Sequence, residues 1–255
     1  MCLILFAYDV HPVYKLIVAA NRDEAYARPT AAADFWSDAP NVLAGRDLEK
    51  MGTWMGVTTS GRFAALTNYR NPQETTEGKR SRGEIVSNFL KGNEHPKSYI
   101  ENIAHGDSSY PGYNLLTGNL DELFYYSNVG RKVEKLKPGI YGVSNHLLDS
   151  DWPKVRIGKT ELQRAVDEHR DKPELVDELF SILKNADPAP DDSLPNTGVG
   201  LELERVLSPL FIKTDGYGTR SSTVCLLGEE EGYYIERTFK GDKVHQREFT
   251  IPLKE

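Results

Sequence analysis

Met1-Cys2-Leu3-Ile4-Leu5-Phe6-Ala7-Tyr8 opens the chain, and its pattern decides the fold. Residues 3–8 are apolar at odd and even positions alike. A half-buried strand would alternate, so this run predicts a strand covered on both faces, as an inner layer of a four-layer sandwich requires. Asp9-Val10-His11-Pro12 supplies turn chemistry, and Tyr14-Lys15-Leu16-Ile17-Val18-Ala19-Ala20 reads as the returning strand. With Asp9 opposite Tyr14, Cys2 faces Asn21 and lies beside Arg22, Asp23 and Glu24.

Cys2 is the second residue, and initiator methionine is removed when the next residue is small. Removal would give one residue both a thiol and a free α-amine, a nucleophile and a base together. An α-amine has a pKa of about 7.7–8.0, so part of it is unprotonated near neutral pH. The neighbouring Arg22 favours the thiolate, and Asp23 can orient the guanidinium or the new ammonium. These influences predict more thiolate at Cys2 than at an ordinary cysteine. Cys225, inside an apolar strand, is expected to be inert. The alternative for Cys2 is a small buried hydrophobe, with Asn21 to Glu24 as a solvated strand end.

Farther along, Trp54–Thr59 and Arg62–Asn68 flank Ser60-Gly61 as a hairpin. Residues 71–82 are polar with Gly and Pro, and form a loop that follows Asn68 and is placed to cover a site there. Helical spacing marks 83–91, 96–104, 153–169 and 173–185, which predicts two outer helical layers. Strands return at 113–118, 122–127, 133–136 and 140–143, then at 222–227 and 232–239, with 244–251 as an edge. Residues 186–197, rich in Pro and Asp, read as a surface loop. Motif-bearing segments run nearly end to end, so one domain over 1–255 is expected.

Composition narrows the function classes. The net charge of −7 gives no basic footprint for nucleic acid. Two distant cysteines offer neither a disulfide framework nor a zinc spacing, and the six histidines show no metal spacing. No cofactor is implied. No apolar run approaches a membrane span, and the N-terminal run lacks a basic n-region and meets Asp9 at once, so a cytosolic protein is expected.

Attack on an amide carbonyl builds charge on oxygen and needs donors aimed at it. Asn68 and Asn145 each end a predicted strand, where an Asn is either such a donor or a turn residue. Arg220 lies behind Gly216-Tyr217-Gly218-Thr219, in a polar run that does not read as core. Trp36, Trp54 and Met55 are candidates to face an acyl group, or are simply core.

Cys2, Ala19-Ala20-Asn21-Arg22-Asp23-Glu24, Gly45-Arg46-Asp47, Gly52-Thr53-Trp54-Met55-Gly56, Ala65-Leu66-Thr67-Asn68-Tyr69-Arg70 and Tyr217-Gly218-Thr219-Arg220-Ser221-Ser222 occur in that order. Together they resemble the NRDE family, whose eukaryotic members are called transport and Golgi organisation proteins. The resemblance implies an α+β fold, the αββα sandwich of N-terminal-nucleophile hydrolases. The family resemblance does not fix a reaction; with the residues above, the first reading is a cysteine N-terminal-nucleophile hydrolase cleaving a nonpeptide C–N amide bond in an acylated small molecule, with Cys2, Arg22, Asp23, Asn68, Asn145 and Arg220 as site residues. By similarity to the bile-salt hydrolase and penicillin V acylase group, Asn145 is the closer oxyanion match, Asn68 the second, and Arg220 a late cation near the cysteine. Those acylases space Arg and Asp apart, whereas Arg22 and Asp23 are adjacent and point to opposite faces of a regular strand. The family's associations also allow a noncatalytic protein that binds or carries haem or an acyl lipid, although the chain has no haem-attachment motif.

Overall fold

The computed structural model describes residues 2–253; the expected loss of Met1 lies outside the described residues. In chain order the elements are β1 (Cys2–Tyr8), β2 (Leu16–Ala25), β3 (Thr30–Trp36), β4 (Ala39–Asp47), β5 (Met55–Thr58), β6 (Phe63–Asn68), α1 (Gly83–Lys91) and α2 (Pro96–His105). Then come β7 (Tyr113–Gly118), β8 (Leu123–Ser127), β9 (Glu134–Lys135), β10 (Gly139–Val143), α3 (Pro153–Glu168), α4 (Lys172–Leu183) and α5 (Leu201–Val206). The chain closes with β11 (Tyr217–Leu227), β12 (Glu231–Lys240) and β13 (Lys243–Pro252).

Two antiparallel sheets carry the fold, one ordered β10-β1-β2-β11-β12-β13 and the other β3-β4-β5-β6-β7-β8-β9. Every residue of β1 is buried, because its two faces serve two cores. Ile4, Phe6 and Tyr8 pack between the sheets with Val18, Leu43, Phe63 and Cys225. Leu3, Leu5 and Ala7 pack beneath α3 and α4 with Leu162, Leu179 and Phe180. Phe89, Ile100 and Tyr113 belong to a third core, under α1 and α2 on the far side of the second sheet. The result is the αββα sandwich. Gly158 lets α3 approach β1, since a Cβ there would lie 2.5 Å from Leu5 Cδ1.

The β1–β2 register differs by one residue from the sequence expectation. Asp9 takes a positive φ of 50°, and its N–H donates to the Lys15 carbonyl at 2.7 Å. The turn is therefore one residue longer, Tyr8 pairs with Leu16, and Cys2 pairs with Arg22 instead of Asn21. A slip of one exchanges the faces of a strand. Sequence reading also missed the β3–β4 hairpin, whose half-exposed strands lack a sustained apolar run, and the short α5. The segments around 133–136 and 140–143 are not partners: β9 pairs with β8, β10 pairs with β1, and residues 136–138 cross between the sheets.

Candidate active site

At the end of β1 and β2 the sheets part around a cavity of about 930 Å³ lined by Cys2, Arg22, Asp23, Asn68 and Arg220, among others. Cys2 and Arg22 are paired positions, so their side chains share the inter-sheet face with Ile4 and Ala20. Asn21 and Asp23 turn to the face under α3 and α4. Asn21 Nδ2 donates to the Leu183 and Leu210 carbonyls at 2.9 and 2.8 Å, and its Oδ1 accepts from Ser222 at 2.6 Å. It anchors the helical layer and does not face the thiol.

Asp23 is buried and its Oδ1 accepts from Thr219 Oγ1 at 2.7 Å. Burial raises its carboxyl, opposed chiefly by Lys154. Its backbone also reaches the thiol, through an amide hydrogen bond to Cys2. Burial, the largest influence, pushes the Cys2 thiol up; the Asp23 charge adds to this, while Arg22 and that amide oppose it. Loss of water from an 8 % exposed residue thus works against the thiolate that Arg22 favours. Cys225, fully buried and raised by burial alone, fits the expected inert core residue.

Arg220 occupies a β-bulge: Thr219 pairs with Asp23 and Ser221 with Arg22, leaving Arg220 as the extra residue. The bulge lets Arg220 and Ser221 both line the cavity. Arg220 Nη1 donates to the Ala25, Tyr26 and Arg28 carbonyls at 2.9, 3.1 and 3.2 Å. It braces the turn after β2, with Arg22 and Glu24 as charged neighbours. Arg220 and Cys2 line the same cavity.

The two Asn candidates divide differently from the expected ranking. Asn68 lines the cavity. Asn145 stands behind it, fully buried, with Nδ2 donating to the Asn68 carbonyl at 2.8 Å. Ser144 Oγ next to it donates to the Cys2 carbonyl at 3.0 Å, and Thr67 Oγ1 to the Ser144 carbonyl at 2.5 Å. This network ties the ends of β1, β6 and β10 into one unit.

Of the aromatic candidates, only Trp54 lines the cavity. Met55 is in the inter-sheet core, and Trp36 lies in the core under α1 with Nε1 donating to the Ala44 carbonyl at 3.0 Å. His146 packs against Tyr69 and Trp152, with ring centroids 5.2 and 5.7 Å apart, and burial lowers its pKa. The 71–82 loop does reach the site, through Thr76 and Lys79 to Arg82.

Sequence reading missed Lys154 and Glu236. Lys154 is 2 % exposed, donates to the Leu207 carbonyl at 3.0 Å, and is lowered by burial to about 8 against the pull of Asp23. Its spacing with Gly158, Leu162 and Ala165 on the buried stripe of α3 was the available signal. Glu236 lines the cavity and joins the sheets, accepting from the Ala33 N–H at 2.7 Å; burial raises its carboxyl. Nothing in the pattern of β12 announced that cross-sheet bond.

The fold resembles that of a conjugated bile acid hydrolase from Clostridium perfringens, solved as a mutant, at a TM-score of 0.53 and 9% identity over 97% of this chain and 92% of that one. An N-acylethanolamine-hydrolyzing acid amidase ortholog from Caenorhabditis elegans matches at a TM-score of 0.51 and 10% identity, covering 88% and 92%. In sequence, the human Transport and Golgi organization protein 2 homolog is 38% identical over 246 residues, 89% of this chain and 88% of its own length. The Bos taurus homolog is 37% identical over 265 residues, 94% of each. The model of Transport and Golgi organisation 2 matches residues 1–241. With a family match over residues 1–241 and relatives above 30% identity along most of the chain, the chain belongs to the Transport and Golgi organisation 2 family.

Proposed function

We propose that this protein is a cytosolic cysteine hydrolase that cleaves a nonpeptide C–N amide bond in an acylated small molecule. The observation that carries the reading is the placement of Cys2 at the first position of a central strand, in a cavity, directly opposite Arg22. The fold it shares with amide-cleaving enzymes adds support.

With Met1 removed, the Cys2 α-amine takes the thiol proton as Sγ attacks the carbonyl carbon. Because burial keeps the thiol protonated, this transfer accompanies attack. The Asn68 amide, on the cavity wall, donates to the developing oxyanion, and Asn145 holds the Asn68 backbone in place. Collapse of the intermediate breaks the C–N bond, the ammonium returns its proton to the departing amine, and a thioester remains on Cys2. Water activated by the same amine then releases the acid. Arg22 stabilises the sulfur's negative charge, Asp23 orients the N-terminal ammonium, and Arg220 keeps the wall shaped.

A noncatalytic carrier of a hydrophobic ligand such as haem or an acyl lipid is the second reading, favoured by the burial that holds Cys2 neutral. Intact-mass measurement of natively produced protein, with turnover of an acyl-amide panel by wild type and Cys2→Ala, tests the choice. Met1 removal with turnover abolished in Cys2→Ala supports the hydrolase. Retained Met1, or turnover indifferent to Cys2, leaves the carrier.

A further inference from the structure

The chain is acidic, with a net charge of −7, yet its cavity is lined by ten Lys and Arg side chains against four Asp and Glu. Some of these cations are neutralised locally. Arg46 pairs with Asp38 at 2.5 Å, Arg28 with Asp47 at 2.6 Å and Arg80 with Glu84 at 2.5 Å.

Others are not. Lys50, Lys213 and Lys240 are exposed at the rim and make no ion pair among the described residues. Arg82 Nη1 donates to the Gly112 carbonyl at 2.9 Å and Arg220 Nη1 to backbone oxygens, and among the described residues neither makes a close ion pair, although Glu74 lies near Arg82 and Glu24 near both. Among the described residues Arg22 Nη1 is buried without a hydrogen-bond partner, and the closest carboxylate to Arg22 is that of Glu24 at 3.6 Å, with Glu236 also acting on it. Arg22 and Arg220 oppose each other as like charges. Cations gathered in a concave wall repel one another and focus a positive field outward, even on an acidic protein. An anion between them relieves that repulsion.

We infer that the mouth of this cavity is an anion site, and that its ligand carries, apart from the acyl group reaching Cys2, an oxyanion of two or more charges held among Arg82, Arg220, Lys213 and Lys240. More than one charge is called for because the uncommitted cations come from separate segments, the turn after β4, the loop before α1, and the ends of β11 and β12. The inference rests on the cavity being a ligand site and does not require turnover at Cys2.

The test measures protection of Cys2 from iodoacetamide, together with melting temperature, at low and matched ionic strength. Inorganic pyrophosphate and succinate are the divalent-or-higher probes from phosphate and carboxylate sources, and acetate is the monovalent control. Pyrophosphate should slow Cys2 modification at least about threefold and raise the melting temperature, with acetate inert. Lys213→Glu combined with Lys240→Glu, both at exposed positions, should raise the pyrophosphate concentration needed for that protection about tenfold, whereas Lys132→Glu, outside the cavity, should not. Stronger protection by pyrophosphate than by succinate assigns a phosphate group, and the reverse assigns carboxylates. Absence of protection by both, or equal protection in the double variant and wild type, overturns the anion site. Amide turnover without anion protection would refute this site and leave the hydrolase standing; protection without turnover of any amide would do the opposite.

Discussion

Cys2 and Arg22 stand directly opposite each other on β1 and β2, on the face of the sheet that opens into the cavity. Asp23, one residue on, lies on the other face, where Thr219 holds its carboxylate. The thiol, on which Arg82 and Lys154 act from other elements, therefore has a cation directly across the strand pair to set against its burial.

Replacing it by Arg22→Leu should slow alkylation of Cys2 at neutral pH about three- to tenfold. The rate profile should also move to higher pH, because burial raises the thiol and Arg22 is among the groups that oppose it. Site-resolved mass spectrometry over a pH series reads this, with Cys225 unmodified while the protein is folded. An unchanged profile would mean that Arg22 does not reach the sulfur's charge.

The two asparagines should separate stability from chemistry. Asn145→Ala removes the donor that holds the Asn68 carbonyl in a buried place, so it should destabilise the fold by about 1–3 kcal/mol in denaturant titration. Asn68→Ala, on the cavity wall, should cost no more than about 1 kcal/mol, shift the melting temperature by no more than about 4 °C, and reduce turnover. Equal stability losses would return both residues to structural roles.

Gly158→Ala sets helix propensity against packing. An exposed helical Gly replaced by Ala gains roughly 0.5–1 kcal/mol. Here the new Cβ would lie 2.5 Å from Leu5 Cδ1, inside a fully buried core, and overpacking costs about 1–3 kcal/mol. A lower melting temperature is the expected net result, and a higher one would show that Leu5 has room to turn.

Lys154 predicts a pH dependence of defined sign. Burial lowers it to about 8 from an ordinary 10.5. Between those values the unfolded chain holds the proton and the folded chain has lost it, so this group's contribution to stability rises with pH across that window. The stability of wild type relative to Lys154→Met should therefore increase from about pH 8 to about pH 10, measured by urea unfolding at each pH. A constant difference would show that the lysine does not titrate there.

Much of this architecture was legible in residue pattern. Residues 3–8 announced a strand buried on both faces because neither parity carried a polar side chain, and α1 appeared at Gly83–Lys91 as its spacing required. The gathering of Cys2, Arg22, Asp23, Asn68 and Arg220 followed from ordered motifs at strand ends, since antiparallel pairing returns such ends to one edge of the sandwich. The opposite facing of Arg22 and Asp23 needed only the two-residue period of a strand.

Tertiary structure alone decided the register and the charge balance. The positive φ of Asp9 lengthened a turn by one residue, and that choice put Arg22, not Asn21, across from the thiol. Glu236 lines the cavity from β12, and Lys154 acts on Asp23 from α3, charges whose neighbours are set by how layers stack. Burial sets the Cys2 thiol against the cations around it. A sequence lists ionisable groups and the period of each element, but the energy of a charge depends on the water taken from it and the partners brought to it, and both are fixed only when the layers close.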